Sequence, residues 1–162
     1  MPPTTDEFRK AMGRFATGVT VVTTGADGEL HGMTANAVTS VSLEPMMILL
    51  CADKGADSHD ILSRAGVFAV NILSEDQQDI SHRFAIKDED DAHRLDGVPH
   101  KIGETGAPIL EGTLAYLDCR TVIEQEAGDH TIFIGEVVDA GFEDGGSPLL
   151  FFGGEYGRMA NG

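Results

Sequence analysis

Most of the gaps between the β-strands predicted from this sequence are too short to hold a helix. Two long runs rich in β-branched residues, at 112–124 and 130–142, are joined only by a short turn with the sequence Glu-Ala-Gly-Asp. Parallel neighbours in a sheet need a crossover of roughly a dozen residues or more, usually a helix. The pattern therefore predicts a mainly β chain, an antiparallel barrel with peripheral helices, and argues against a doubly wound parallel sheet.

Shorter strands complete the predicted barrel. In chain order they lie at 18–24, 31–43, 46–52, 67–73 and 148–152. The first two are expected to pair as a hairpin, and the apolar run at 46–52 is expected to be buried on both faces. The polar stretch at 85–106 has no sustained periodicity, and a loop of that length is usually functional or disordered.

Three helices are predicted beside the strands. The first, at 4–16, begins with a capping box and carries apolar side chains on one face, namely Phe8, Met12 and Phe15. The second, at 57–66, has Asp57 or Ser58 as its N-cap. The third lies at 75–84, before the polar stretch.

Length, charge and cysteine usage exclude several classes of protein. With 162 residues the chain is predicted to be a single domain over 1–162. It carries 27 acidic and only 11 basic residues. Proteins that bind nucleic acids or anionic membranes use clustered lysine and arginine, so the charge argues against both classes. Cys51 and Cys119 lie far apart in the sequence, a pattern that is typical of buried, reduced thiols. Because the sequence shows no signal peptide or membrane span, a cytoplasmic protein is expected.

Common catalytic motifs are missing from the sequence. It has no Gly-x-Gly-x-x-Gly dinucleotide motif, no P-loop and no Gly-x-Ser-x-Gly nucleophile elbow. Its six histidines do not follow a metal-ligand spacing, so no metal site is expected. The sequence therefore gives no support for most of the common classes of enzyme.

The segment at 31–45 carries candidate ligand-binding residues. Small side chains at Ala35 and Ala37 leave room for a flat ligand close to the backbone. Uncharged hydrogen-bonding groups follow at Thr34, Asn36, Ser40 and Ser42. A Thr- and Ser-rich strand of ordinary β-propensity remains the alternative interpretation.

Two further segments carry candidate polar groups. Lys54 and Ser58 flank a helix start, where free N–H groups attract anions, and could form a phosphate clamp. Asp53 and Asp57 would be unfavourable there unless they face outward, and a plain helix cap with a solvated lysine is the alternative. His130 follows a Gly-Asp turn, so its ring can project from the barrel rim, and the preceding aspartate could orient it.

Taken together and in this order, six segments resemble the short-chain flavin reductase family. They read FATGVTVVTT, GMTANAVTSVSLEP, ADKGADSHDIL, FAVNIL, AGDHTIFIGEV and PLLFFGGEYG, and they cover about residues 8–156. The resemblance implies an FMN-binding split β-barrel of Greek-key type, assembled as a homodimer with flavin sites near the subunit interface. It implies an oxidoreductase that passes hydride from NADH or NADPH to FMN or FAD. The reduced flavin would then serve a separate monooxygenase component.

The resemblance also assigns cofactor-binding residues. They are Thr34, Ala35, Asn36, Ala37, Ser40, Val41, Ser42, Ala52, Asp53, Lys54, Ser58, Phe84, Ala85, His130 and Tyr156. Among them, His130 is the predicted catalytic residue, beside the nicotinamide or the flavin. The phosphate segment departs from the family pattern, since Asp53 replaces an asparagine and His59 a hydroxyl residue. The C-terminal segment also lacks an arginine and a tyrosine that are usual in the family.

Two other functions remain open on the sequence alone. One is an oxidase on the same barrel that resembles pyridoxamine-phosphate oxidases, although the Thr-Ala-Asn and Ser-Val-Ser motifs argue against it. The other is a non-enzymatic flavin- or haem-binding protein. The sequence does not decide between FMN and FAD, or between NADH and NADPH.

Overall fold

The computed structural model describes residues 1–86 and 94–160, and within them the chain is mainly β. The helices are α1 (Thr5–Met12), α2 (Asp57–Ala65) and α3 (Gln78–Ala85). The strands are β1 (Thr17–Gly18), β2 (Thr20–Ala26), β3 (Glu29–Ala35), β4 (Val38–Leu43), β5 (Met46–Asp53), β6 (Val67–Ile72), β7 (His100–Ile102), β8 (Pro108–Leu110), β9 (Ala115–Ala127), β10 (His130–Phe142), β11 (Leu150–Phe152) and β12 (Glu155–Gly157). The strand pairs are antiparallel, which confirms the predicted mainly β class with three helices.

Seven strands form the main sheet, in the order β3-β2-β6-β9-β10-β5-β4. The long strands β9 and β10 pair along their whole length, as the short turn between the two β-branched runs predicted. Met33 on one edge strand and Val38 on the other pack against the same buried cluster, which includes Leu50, Phe68 and Phe133. Because both edges contact one core, the sheet curls strongly around it.

A second buried cluster attaches α3 to the sheet. It contains Phe84 of α3 with Val21, Leu73 and Leu149. A Cβ atom on Gly32 would lie 2.8 Å from the ring of Phe84, so a glycine is needed for this close approach. The packing fixes the C-terminal end of α3 against the middle of β3.

The predicted hairpin arm at 31–43 is wrong as a single strand. It divides into β3 and β4, and β4 pairs with β5 instead of β2. The backbone carbonyl of Ala37 accepts a hydrogen bond from the amide of Cys51 on β5. The chain therefore passes from β3, at one edge of the sheet, to β4, at the other edge. This break, at Asn36 and Ala37, shapes the functional site described below.

The apolar run of β5 is not buried on both faces. Ile48, Leu50 and Ala52 point into the core, whereas the alternate residues Met47, Leu49 and Cys51 are only half-buried. Nothing in the described part of the chain covers that second face completely. The run is uniformly apolar, but burial within this chain follows the two-residue period of a strand.

The helix termini also differ from the predictions. The capping box at Thr4 is present, but α1 ends at Met12 because Gly13 closes it with a hydrogen bond to the carbonyl of Arg9. The N-cap of α2 is Ala56, whose methyl side chain cannot cap the helix, so Asp57 and Ser58 lie inside the first turn. The third predicted helix starts as a short 3₁₀ turn before α3.

Part of the predicted loop at 85–106, residues 87–93, lies outside the described residues. The described remainder includes β7. None of the described helices is long and apolar enough to cross a bilayer.

Candidate functional site

A cleft of about 430 Å³ opens beside the break between β3 and β4. Its walls come from the ends of β3 and β5, the start of α2, the end of α3 and the start of β10. The lining residues are Met33, Thr34, Ala35, Asn36, Ala37, Cys51, Asp53, Gly55, Ala56, Asp57, Ser58, Phe84, Ala85 and His130. The volume is within the usual range for small-molecule sites.

The β3 wall of the cleft is held in place by two side-chain hydrogen bonds. Thr34 donates through Oγ1 to the carbonyl of Ser81 on α3, at 2.7 Å. Thr20 donates through Oγ1 to the carbonyl of Ala35, also at 2.7 Å. Asn36 and Ala37 come after β3 and before β4, outside the two strand ladders, so their amides are not used in sheet pairing. This wall therefore offers small side chains and backbone donors to a ligand.

The α2 wall of the cleft rests on a buried polar contact. The hydroxyl of Ser58 is 2.7 Å from Nε2 of His31, and Ser58 is only 2% exposed. In the first turn of α2 the amide of His59 donates to the carbonyl of Ala56 at 3.0 Å, and the amides of Asp57 and Ser58 before it lie at the positive end of the helix dipole. The start of α2 is thus fixed in place and offers N–H groups to an anionic or polar ligand.

His130 lies at the start of β10, directly opposite Asp53 of β5. Its ring nitrogen Nδ1 is 2.7 Å from Oδ1 of Asp129. The hydrogen bond and the charge of His130, with a smaller contribution from Lys54, hold the pKa of the Asp129 carboxyl group below its ordinary value. The carboxylate orients the ring, and when the ring is neutral with its proton on Nδ1, Nε2 is left as an acceptor.

Most of the sequence-predicted residues come together in the cleft. Those in its lining are Thr34, Ala35, Asn36, Ala37, Asp53, Ser58, Phe84, Ala85 and His130. Tyr156 lies in an adjoining pocket of about 200 Å³, which shares Thr34 and Ala35 with the cleft. The hydroxyl of Tyr156 is 2.6 Å from Oγ of Ser81, so the C-terminal segment is tied to α3.

The other predicted residues lie outside the cleft lining. Ser40, Val41 and Ser42 belong to β4, beyond the break, and Ala52 is a core residue that is 1% exposed. Nζ of Lys54 lies 3.4 Å from Oε1 of Glu126, on the neighbouring hairpin. Sequence order places these residues beside the site, but the direction of each side chain depends on the strand alternation and on the partner across the sheet.

Several cleft residues were not predicted as ligand contacts. They are Met33, Cys51, Gly55, Ala56 and Asp57. Cys51 was expected to be buried, but it is half-buried because it lies beside the β3–β4 break. Among the described residues, no three His, Cys, Asp or Glu side chains form a group that could hold a metal ion.

The two cysteines should differ in reactivity. Burial, with a smaller effect of Asp118, raises the pKa of the Cys119 thiol to about 12. At mildly alkaline pH we therefore expect alkylation of Cys51 and none of Cys119 in the folded protein, measured by mass spectrometry of peptides. A ligand bound in the cleft should slow the labelling of Cys51, because Cys51 is part of the cleft lining. Equal labelling of both thiols would contradict this placement.

Comparisons with known proteins identify the family. The sequence model described as "Flavin reductase like domain" matches residues 12–160. This chain belongs to the flavin reductase-like family. The match extends over almost the whole chain and confirms the family resemblance of its six segments.

Individual relatives of the family are similar over most of their length. The chain is 43% identical to "FMN reductase (NADH) SmoA" of Agrobacterium fabrum, over 94% of this chain and 85% of the relative. It is 41% identical to the "NADH-dependent FAD reductase" of Streptomyces globisporus, over 95% and 85%. It is 37% identical to "Flavin-dependent monooxygenase, reductase subunit HsaB" of Mycobacterium tuberculosis, over 92% and 79%.

The solved structure "Flavin reductase PheA2 in native state" has a similar fold. Its TM-score with this chain is 0.89 at 42% identity, and the alignment covers 98% of this chain and 100% of that one. The backbone that frames the cleft is therefore built on the architecture of a flavin reductase.

Proposed function

We propose that this chain is an NAD(P)H:flavin oxidoreductase that uses the cleft beside the β3–β4 break as its flavin site. The observation that carries the proposal is the meeting of Thr34–Ala37, Phe84 and Ala85, the start of α2 and His130 in one cleft. The relatives support the activity, since their names describe NADH-dependent reductases of FMN and FAD.

The residues of the cleft fit the ring system of a flavin. Ala35 and Ala37 allow a flat ring to approach the backbone closely, and the free amides of Asn36 and Ala37 can donate to the polar edge of the ring. Phe84 is in the lining but only 1% exposed, so it supports this part of the cleft from the core. These residues would hold the ring, and Gly55, Ala56 and Ser58 would lie beside the tail.

In this site a bound flavin would supply the acceptor for the hydride of the dihydronicotinamide. The chain orients the two substrates, because hydride transfer needs the two rings in near-attack geometry. Backbone amides at Asn36 and Ala37 stabilise negative charge at the polar edge of the ring. His130, held by Asp129, positions the nicotinamide and need not transfer a proton.

Replacing His130 with alanine tests this positioning role. We expect kcat/KM for NADH to fall about tenfold, or about 1.4 kcal/mol, mainly through KM, because one oriented polar contact is lost. Steady-state kinetics with flavin saturating would measure the change. His130→Gln, which keeps a polar group at the position, should restore part of the activity. Unchanged turnover in His130→Ala would rule out the role.

The split barrel and the homodimer are part of the same proposal. An apolar groove of about 530 Å³ runs between α1 and β4, lined by Phe8, Met12 and Phe15 among others. It shares Asn36, Ala37 and Cys51 with the cleft, so a second copy seated in the groove would lie against the flavin. Sedimentation equilibrium should give a dimer mass, and a monomer at micromolar concentration would contradict this assembly.

Delivery of reduced flavin to a separate monooxygenase component is the proposed role of the activity. The relative from Mycobacterium tuberculosis is named as the reductase subunit of such an enzyme, which supports this proposal. Reduced flavin released into solution would be the expected product.

The activity is tested by NADH consumption with purified protein, in the presence and absence of FMN, FAD or riboflavin. We expect consumption that requires added flavin and scales with protein. Flavin binding without any NADH consumption would instead indicate an oxidase or a non-enzymatic flavin carrier.

A further inference from the structure

We propose that Asp53 and Asp57 make the tail end of the cleft select against a phosphorylated flavin tail, so that FMN binds no more tightly than riboflavin. The inference rests on the proposed flavin site. The two aspartates carry negative charge in the part of the site where the phosphate of the flavin tail would lie.

Both carboxylates belong to the cleft itself. Asp53 ends β5 and Asp57 begins α2, and both side chains are largely exposed in the cleft lining beside Gly55, Ala56 and Ser58. Oδ1 of Asp53 accepts a hydrogen bond from the amide of Gly55 at 2.8 Å, so one donor of this turn is already used by the protein. Because both residues line the cleft, their negative charge lies within reach of a ligand bound there.

The nearby lysine does not offset these two charges. Lys54 lies between them in sequence, but its ammonium group contacts Glu126 at 3.4 Å and is absent from the cleft lining. That contact is exposed and weak, so a phosphate could draw Lys54 inward. Even then a single lysine would face two carboxylates. The described lining contains no lysine or arginine.

The dipole and amides at the start of α2 oppose this repulsion only in part. Their effect on an anion is modest at an exposed site, and Asp57 already occupies the first turn. A phosphate monoester carries nearly two negative charges at neutral pH, and the chain as a whole has a net charge of −16. The ring can still bind through the β3 wall, because the residues of that wall at Thr34–Ala37 carry no charge.

The consequence is a flavin that is held by its ring and exchanges readily. Such binding suits a flavin that leaves the protein after reduction. It also makes the salt dependence of binding opposite to that of an ordinary phosphate site. Salt screens repulsion, so higher ionic strength should strengthen FMN binding, whereas it would weaken binding to a cationic clamp.

The test is a titration of the purified full-length protein with riboflavin, FMN and FAD, followed by flavin fluorescence at low and high sodium chloride concentration. We expect a dissociation constant for FMN equal to or above that for riboflavin at low salt. Between about 0.01 M and 0.5 M salt, the dissociation constants for FMN and FAD should fall severalfold relative to that for riboflavin.

Asp57→Asn removes one of the two charges with little change in shape. It should lower the ratio of the FMN and riboflavin dissociation constants about threefold to tenfold, as expected for one charge pair in a solvated cleft. The matched control is Asp144→Asn, which removes the same charge beyond the opposite end of β10 from His130. This control should leave the ratio unchanged. Circular dichroism would confirm that both variants are folded.

The outcomes separate this inference from the proposed function. Tighter binding of FMN than of riboflavin, weakened by salt, would overturn the selection against phosphate while leaving the reductase proposal intact. An Asp57→Asn ratio equal to that of the wild type would also overturn it. If no flavin binds and none supports NADH consumption, both the inference and the proposed function fail.

Discussion

Ala37→Phe should weaken flavin binding at least about a hundredfold, or about 2.7 kcal/mol. Ala37 lies in the break between β3 and β4 and lines the cleft, so a phenyl group there would occupy the space proposed for the flavin ring. The residue is exposed and outside the strand ladders, so the fold should tolerate the larger side chain. Flavin fluorescence titration would give the dissociation constant, and NADH consumption should fall in parallel.

A matched control places the same side chain far from the cleft. Gly145 has open space around its Cα and follows the end of β10 that is opposite His130. Gly145→Phe should therefore bind flavin like the wild type. Because Ala37 also lines the apolar groove beside α1, the oligomeric state of both variants should be measured. Normal flavin binding by Ala37→Phe would place the flavin somewhere else.

Asn71→Ala should lower the free energy of unfolding by about 2–4 kcal/mol. Asn71 is completely buried, and its amide group donates to the carbonyl of Val21 and to Oγ1 of Thr23, each at 2.9 Å. Its side-chain oxygen accepts from the amide of Leu110, also at 2.9 Å, and so connects β6 to β8. Alanine would leave these buried groups without their partner, which costs more than the loss of an exposed hydrogen bond.

Chemical denaturation would measure the change, with Gln125→Ala as the control. Gln125 is an amide residue of β9 whose side chain is exposed, so its replacement should change stability by less than about 0.5 kcal/mol. A similar small change for Asn71→Ala would show that the three buried hydrogen bonds contribute little to the fold.

The parts of the fold that depend on neighbours in sequence could be predicted. Paired β-branched runs and a short turn located the β9–β10 hairpin, and a capping box located the start of α1. Gly66 ends α2 in the left-handed conformation, at the end of the predicted range 57–66. Each of these features is set by interactions within a few residues of the chain.

Features that depend on distant partners could not be predicted. The break at Asn36 and Ala37 has no glycine or proline to mark it, and it forms because β4 pairs with β5. Lys54 turns from the cleft because Glu126, more than seventy positions later, lies beside it across the sheet. Strand alternation alone gives neither partner, so the family segments name residues that mostly line one cleft, but they do not give the direction of every side chain.

The most direct test of the account is reduction of the flavin itself. Purified protein, FMN or riboflavin, and NADH are mixed without oxygen, and the visible absorbance of oxidised flavin is followed with time. The account predicts loss of that absorbance at a rate proportional to protein, with equal amounts of NADH consumed and flavin reduced, and little loss with Ala37→Phe. Flavin that binds to the protein but stays oxidised in the presence of NADH would contradict the central claim.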